Sequence, residues 1–183
     1  DLLVFGKRAG EYAAKFAQEN GGGEIDDAEV DALAKAALEP LERDGDGENP
    51  YEIQRELQEM MQDKVGIIRE DGLMKEAIDD IAKLAERAPK AAAPGNREYN
   101  PGWHTALDLK CLLTVSEASA RAALERREIR GAQTRNDFPD KAPDDWGQHK
   151  LILRKSSDGA MKVEKVSVVP QTDQQKKIIK DNK

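Results

Sequence analysis

The sequence has few of the residues that build β-rich cores, redox clusters or membrane spans. Aromatic residues make up 4% of its 183 positions, and it contains one cysteine and two histidines. The single cysteine, Cys111, excludes an internal disulfide, and we expect it to lie buried on an apolar helix face. No apolar run approaches the ~18 residues that a membrane-spanning helix requires.

Familiar catalytic and metal-binding patterns are also missing. His104 and His149 lie far apart without a nearby cysteine, so their spacing does not indicate zinc. Asp44-Gly45-Asp46-Gly47 does not fit a calcium-binding EF-hand loop, because the twelfth position from Asp44 is Arg55 instead of glutamate. We expect a solvated turn there, no metal site, and no catalytic residue in this chain.

The charge balance argues against nucleic acid as a partner. Lysine and arginine total 29 against 36 aspartates and glutamates, which gives a net charge of −7. An acidic protein repels a phosphate backbone on average, and no basic stripe with interleaved aromatics offsets this repulsion.

Charged residues make up 36% of the chain and hydrophobic residues 38%, a composition that favours helices with thin apolar stripes. Helical spacing of apolar residues predicts a first helix over 1–19 and a second from Asp26–Asp27 to Pro40. Asn49 followed by Pro50 is a typical helix start. Three long helices are predicted at about 50–69, 71–88 and 103–127, the last with apolar positions that include Leu107, Cys111, Leu113 and Val115.

The pattern changes after these helices. Apolar runs at 151–154 and 161–168 flank Ser156-Ser157-Asp158-Gly159, a strong β-hairpin signal. Trp146 and His149 are expected to anchor the loop before the hairpin, and the polar tail beyond Pro170 to be frayed. The predicted fold is mainly α: an antiparallel three-helix bundle, similar to a spectrin repeat, with a C-terminal hairpin.

Four arginines lie close together where the longest helix ends: Arg126, Arg127, Arg130 and Arg135. Cations near a helix C-terminus offset the carbonyl dipole, which is one explanation for the first two. The last two lie in a turn beyond the helix, where a guanidinium can bind a carboxylate or phosphate with two parallel bonds.

Two neighbours of these arginines complete the candidate site. Gly131 allows a positive φ and close approach to another surface, and Asp137 is the nearest acidic partner for either arginine of the turn.

The stretch from Arg130 to Pro139, followed by Trp146-Gly147-Gln148-His149, resembles the C-terminal signature of the flavoprotein subunit of succinate dehydrogenase and fumarate reductase. That family commonly reads R-G-A-H-x-R-x-D-[FY]-P, then an acidic loop and W-x-x-H. Two positions depart from the pattern: Gln133 stands in place of histidine, and Ile129 in place of serine. The opening residues Asp1 to Gly10 resemble the helix that closes the flavin domain of the same family.

The resemblance implies four segments. Residues 1–20 would be the closing helix of the flavin-binding domain, 21–49 a short helix and linker, 50–128 the helical bundle domain, and 129–183 the Arg-Gly-Ala turn, acidic loop, hairpin and tail. Catalytic residues are then expected upstream of Asp1, so the isolated fragment is predicted to be inactive and to bind no cofactor itself.

The resemblance also implies a function for the full-length subunit, which would bind FAD and interconvert succinate and fumarate. Electrons would pass through an iron–sulfur subunit to or from a quinone module made of membrane-anchor subunits, at the cytoplasmic face of the inner membrane. The candidates for contact with the flavin domain are Arg130, Gly131, Ala132, Arg135 and Asp137.

Two alternatives remain open at this point. One is the C-terminal domain of L-aspartate oxidase, a related flavoprotein, and the other is a free-standing helical interaction module without a redox role. Because the first helix carries Leu2, Phe5 and Phe16, we expect an isolated fragment to pack this helix on its own bundle or on another copy of the chain.

Overall fold

The computed structural model describes residues 1–43, 47–139 and 145–182 and divides into two compact units. The first unit, Asp1–Leu38, contains α1 (Leu2–Asn20) and most of α2 (Asp27–Glu42). Neither helix buries any of its residues. Most of the expected turn at Asp44 to Gly47 lies outside the described residues.

The second unit, Glu39–Lys183, is built around three helices. These are α3 (Pro50–Val65), α4 (Asp71–Arg87) and α5 (Pro101–Glu125), and each packs against the other two. Antiparallel strands β3 (His149–Lys155) and β4 (Met161–Ser167) form a hairpin that contacts α5. The predicted mainly α fold with a C-terminal hairpin is therefore confirmed.

Two helices of the bundle begin at the same local signal. The Asn49 side chain accepts a hydrogen bond from Tyr51 N at 3.0 Å, and Pro50 fills the first helical position. Asn100 accepts from Trp103 N at 3.0 Å and is likewise followed by a proline. The start expected at 103 was two residues late, because the second Asn-Pro pair carries the same capping chemistry as the first.

The core lies between the three helices; of the four apolar positions of α5 named from the sequence, it buries Leu113 but not Leu107, Cys111 or Val115. Leu109 is fully buried, whereas Leu107 is 37% exposed and Cys111 is also exposed. The prediction of a buried cysteine was therefore wrong. The larger apolar residues at 107, 111 and 115 form one stripe, but the bundle buries the stripe whose alanines allow close helix packing. The buried residues of α5 are Ala106, Leu109, Leu113, Ala120 and Ala123.

A short parallel strand pair ties the end of α3 to the segment that follows α5. It joins β1 (Ile68–Arg69) to β2 (Thr134–Arg135). The third helix, expected to reach 69, ends at Val65, with Gly66 at its C-cap. Backbone pairing with a partner so distant in the chain leaves no local trace in the sequence.

The ends of two other elements also differ from expectation. Pro40 lies inside α2 and does not stop it. The tail beyond Pro170 contains a helix, α6 (Asp173–Asp181), where a frayed segment was expected. Thr172 and Gln175 form a reciprocal capping box at its start, which explains why so polar a segment is helical. No helix in the described ranges is both long and apolar enough to cross a membrane.

Substitutions at two leucines of α5 test which of its faces is buried. Leu109→Ala should lower the free energy of unfolding by about 2–5 kcal/mol, because it removes a fully buried side chain. Leu107→Ala is the matched control and should cost less than about 1 kcal/mol. Urea denaturation followed by circular dichroism measures both, and equal costs would contradict the burial of Leu109.

Candidate functional site

The site is organised around Arg135, whose side chain is fully buried. Its Nε and Nη2 atoms donate to the two carboxylate oxygens of Asp137 at 2.8 and 2.6 Å, a two-bond ion pair. Its Nη1 atom donates to the carbonyl oxygens of Ala123 and Leu124 at 2.9 and 3.1 Å. The last turn of α5 has carbonyls without helical partners, and Arg135 supplies donors to them.

A second arginine, Arg69, supplies donors to the carbonyl oxygens at the end of α3. Arg69 Nε donates to the carbonyl oxygens of Val65 and Gly66 at 3.1 and 2.7 Å, and its Nη1 donates to Gln133 Oε1 at 2.9 Å. The Gln133 amide nitrogen in turn donates to the Arg126 carbonyl at 2.8 Å. Gln133 therefore links the C-terminal ends of two helices, using both the acceptor and the donor of its amide.

These contacts shift two pKa values. The hydrogen bonds from Arg135 hold the pKa of Asp137 below its ordinary value. Burial, together with the charge of neighbouring Arg135, lowers the pKa of Arg69.

A buried carboxylate lies beside this network. Glu128 is fully buried, and Arg126 Nε and Arg130 Nε each donate to one of its oxygens at 2.9 Å. A buried charge is stable only when it is paired and hydrogen-bonded, and here both conditions are met. The Arg130 side chain is still 47% exposed.

The Arg-Gly-Ala segment forms a two-residue hairpin turn. Backbone hydrogen bonds run in both directions between Arg130 and Gln133, at 3.1 and 3.2 Å. Gly131 has φ +61°, and Ala132 is not among the described residues with positive φ. This is the pattern of a type II′ turn, which requires glycine at its first central position. Both turn residues are exposed to solvent.

The segment before the hairpin packs on the same cluster. Two cations lie near the Trp146 ring, with Lys165 Nζ at 4.0 Å and the Arg126 guanidinium at 5.7 Å from its centroid. His149 Nδ1 lies 2.7 Å from the Asp145 carbonyl oxygen. Residues 140–144 of the expected acidic loop lie outside the described residues.

The five residues singled out in the sequence thus divide into two sets. Arg135 and Asp137 bond to each other within the chain, whereas Arg130, Gly131 and Ala132 lie at the surface of the turn. Sequence reasoning missed the parts played by Arg69, Gln133 and Glu128. The only available signal was the position of Glu128 two residues from arginines on either side.

The surface part of the site can recognise an anion or a carbonyl oxygen. Arg130 bonds Glu128 through Nε, and its two Nη atoms make no hydrogen bond within the part of the chain that is described. A guanidinium can present these donors in a fixed plane to a partner. Within the same residues, no group of three histidine, cysteine or acidic side chains could hold a metal ion.

Fold and site together define a helical domain whose two arginine-capped helix ends support an exposed arginine turn. Residues 54–178 match the family described as the fumarate reductase flavoprotein C-terminus. The chain therefore belongs to the family of C-terminal domains of succinate dehydrogenase and fumarate reductase flavoproteins. This confirms the resemblance drawn from the sequence.

Individual relatives agree with the family assignment. The chain is 33% identical to the fumarate reductase flavoprotein subunit of Haemophilus influenzae over 90% of its length, and 33% identical to the succinate dehydrogenase flavoprotein subunit of Coxiella burnetii over 93%. It is similar to a chain of the Mycobacterium smegmatis Sdh1 structure in complex with UQ1, with a TM-score of 0.82, 38% identity and 93% of this chain covered.

The chain spans 28–29% of the length of the two curated relatives and 29% of the chain in the solved structure. The relatives are flavoprotein subunits of oxidoreductases, and neither L-aspartate oxidase nor a free-standing module is favoured.

Replacing Arg135 with lysine tests whether the planar arrangement of guanidinium donors is needed to stabilise the fold. Arg135→Lys keeps the charge but loses the planar set of donors, so it should lower the free energy of unfolding by at least about 2 kcal/mol. Arg127→Lys, at an exposed neighbouring position, should change it by less than about 0.5 kcal/mol. Urea denaturation measures both, and a fully stable Arg135→Lys variant would contradict the capping role.

The Arg135–Asp137 pair should also give stability a specific pH dependence. Because the folded-state pKa of Asp137 is lowered, its contribution is present above the ordinary carboxyl pKa of about 4 and is lost as the pH falls through the lower folded value. Asp137→Asn should therefore be less stable than wild type at pH 7, and the difference should narrow below about pH 4. Asp108→Asn, at an exposed position of α5, is the control, and a pH-independent difference for Asp137→Asn would contradict this linkage.

Proposed function

We propose that this chain is the C-terminal helical part of an FAD-dependent flavoprotein subunit that interconverts succinate and fumarate. Its family membership supports this proposal, as do relatives named as fumarate reductase and succinate dehydrogenase flavoprotein subunits. The flavin, when bound, supplies the redox chemistry. The residues of this chain act by docking onto the flavin-binding part and holding it in place.

The observation that carries the proposal is the exposed Arg130-Gly131-Ala132 turn on its rigid support. Arg135 and Arg69 anchor the strand that follows the turn through bonds to the ends of α5 and α3. Glu128 holds the Arg130 side chain through an ion pair. A group held in this way loses little conformational freedom when it meets a partner, which favours binding. The residues present fit a flavin nucleotide, because the Nη donors of Arg130 suit its carbonyl and phosphate oxygens.

Apolar surface beside the turn supports the same partner. Ile67 and Ile68 are 71% and 61% exposed, next to the strand pair that carries the turn. A depression of about 570 Å³ lies between the end of α3 and the turn, with Met61, Ile67 and Ala132 in its lining. Exposed apolar residues around a polar anchor are typical of an interface core, and we assign this face to the flavin-binding part of the same subunit.

The first helix, α1, also exposes large apolar side chains. Leu2, Phe5 and Phe16 of α1 are 91%, 63% and 67% exposed. We assign α1 to the flavin-binding part as its closing helix, and we infer that the isolated chain self-associates through this apolar surface.

The proposed electron route follows the family. Electrons would pass through an iron–sulfur subunit to or from quinone in a membrane-anchor module, and the subunit would sit peripherally on the cytoplasmic face of the inner membrane. Two observations on relatives support this route: one relative of known structure is a complex containing UQ1, and another is a quinol fumarate reductase.

Removing the exposed arginine from the full-length subunit tests the docking role. Arg130→Ala should lower the flavin-to-protein absorbance ratio of the purified subunit several-fold, because a charge-assisted bond is worth about 1.5–3 kcal/mol. Arg127→Ala removes a nearby exposed arginine that makes no ion pair in the described part of the chain and should leave the ratio unchanged. Full flavin content and normal succinate oxidation in the Arg130→Ala subunit would refute the proposal.

A further inference from the structure

Glu128 is the one fully buried acidic residue of the described chain, and its position is unusual. It lies between two arginines in sequence, yet it contributes nothing to the apolar core. A buried carboxylate is costly to keep unless its partners are held in fixed geometry. Each of its oxygens receives one guanidinium nitrogen, from Arg126 and from Arg130, at 2.9 Å.

This arrangement determines which donors of Arg130 remain available. Glu128 takes the bond from Nε, and the two Nη atoms make no hydrogen bond to any described residue. The guanidinium also lies against Gly147, where an added Cβ atom would come within 3.2 Å of Nη2 and 3.5 Å of Nη1. The Arg130 head group thus contacts both a buried carboxylate and the backbone of a glycine.

We propose that Glu128 is a positioning residue for Arg130: it orients the guanidinium so that both Nη donors face the flavin-binding part. Gly147 completes this arrangement by leaving room for the guanidinium. The inference rests on the proposed function, in which Arg130 contacts that part. It predicts that Glu128 influences flavin binding although it touches neither the flavin nor the partner surface.

The test compares single and double variants of the full-length subunit. Glu128→Gln keeps the shape of the side chain but removes its charge, and its flavin-to-protein ratio should fall to the level of Arg130→Ala. The Glu128→Gln/Arg130→Ala double variant should lose no more flavin than Arg130→Ala alone, because residues that act as one unit are not additive. Gly147→Ala, which changes no charge, should cause a smaller loss.

Arg126→Gln separates positioning from stability. It removes the other partner of Glu128 and should lower the melting temperature as Glu128→Gln does, but it leaves the Glu128–Arg130 pair intact. Its flavin content should therefore stay close to that of wild type.

Three results would be decisive against these ideas. Equal flavin loss in Arg126→Gln and Glu128→Gln, or full flavin content in Glu128→Gln beside a depleted Arg130→Ala, would overturn the positioning role alone. Normal flavin content in Arg130→Ala would instead remove the proposed function itself.

Discussion

The bonds of Arg135 are the constraint on which the rest of the site depends. A guanidinium buried beneath a helix end must satisfy its donors, and it does so with the terminal carbonyls of α5 and the carboxylate of Asp137. The guanidinium and the carbonyls satisfy each other's hydrogen bonds, because those carbonyls would otherwise be left without donors. The position of the chain after α5 is thereby fixed by polar bonds and not by apolar packing alone.

Gln133 extends this constraint to a second helix and accounts for a departure from the family pattern. The position is commonly histidine in the family, and the amide here joins Arg69 to the Arg126 carbonyl. An amide offers a donor and an acceptor at any pH, whereas a neutral imidazole offers both but loses its acceptor when it is protonated. The bond between the ends of α3 and α5 in this chain is therefore insensitive to histidine titration.

The sequence predicted those features that local chemistry determines. Asn49-Pro50 marked a helix start, and Ser156 to Gly159 marked the hairpin turn, since capping and turn preferences act over a few residues. The burial of the alanines at 106, 120 and 123 of α5 was missed, because alanine carries less apolar signal than Leu107 or Val115. The β1–β2 pair and the Arg69–Gln133 bond could not be predicted, as both join residues more than sixty positions apart.

The segment that contains the Arg-Gly-Ala motif has one arginine that is buried and one that is exposed. Arg135 is buried where it caps a helix, and Arg130 is exposed, as the proposed docking role requires, although only four residues separate them. The type II′ turn at Gly131 accounts for this difference, because it reverses the chain within two residues and sends Gln133 and Arg135 back towards the bundle. A change that loosens Arg135 should therefore also move Arg130, so that stability and the proposed docking are coupled through a single turn.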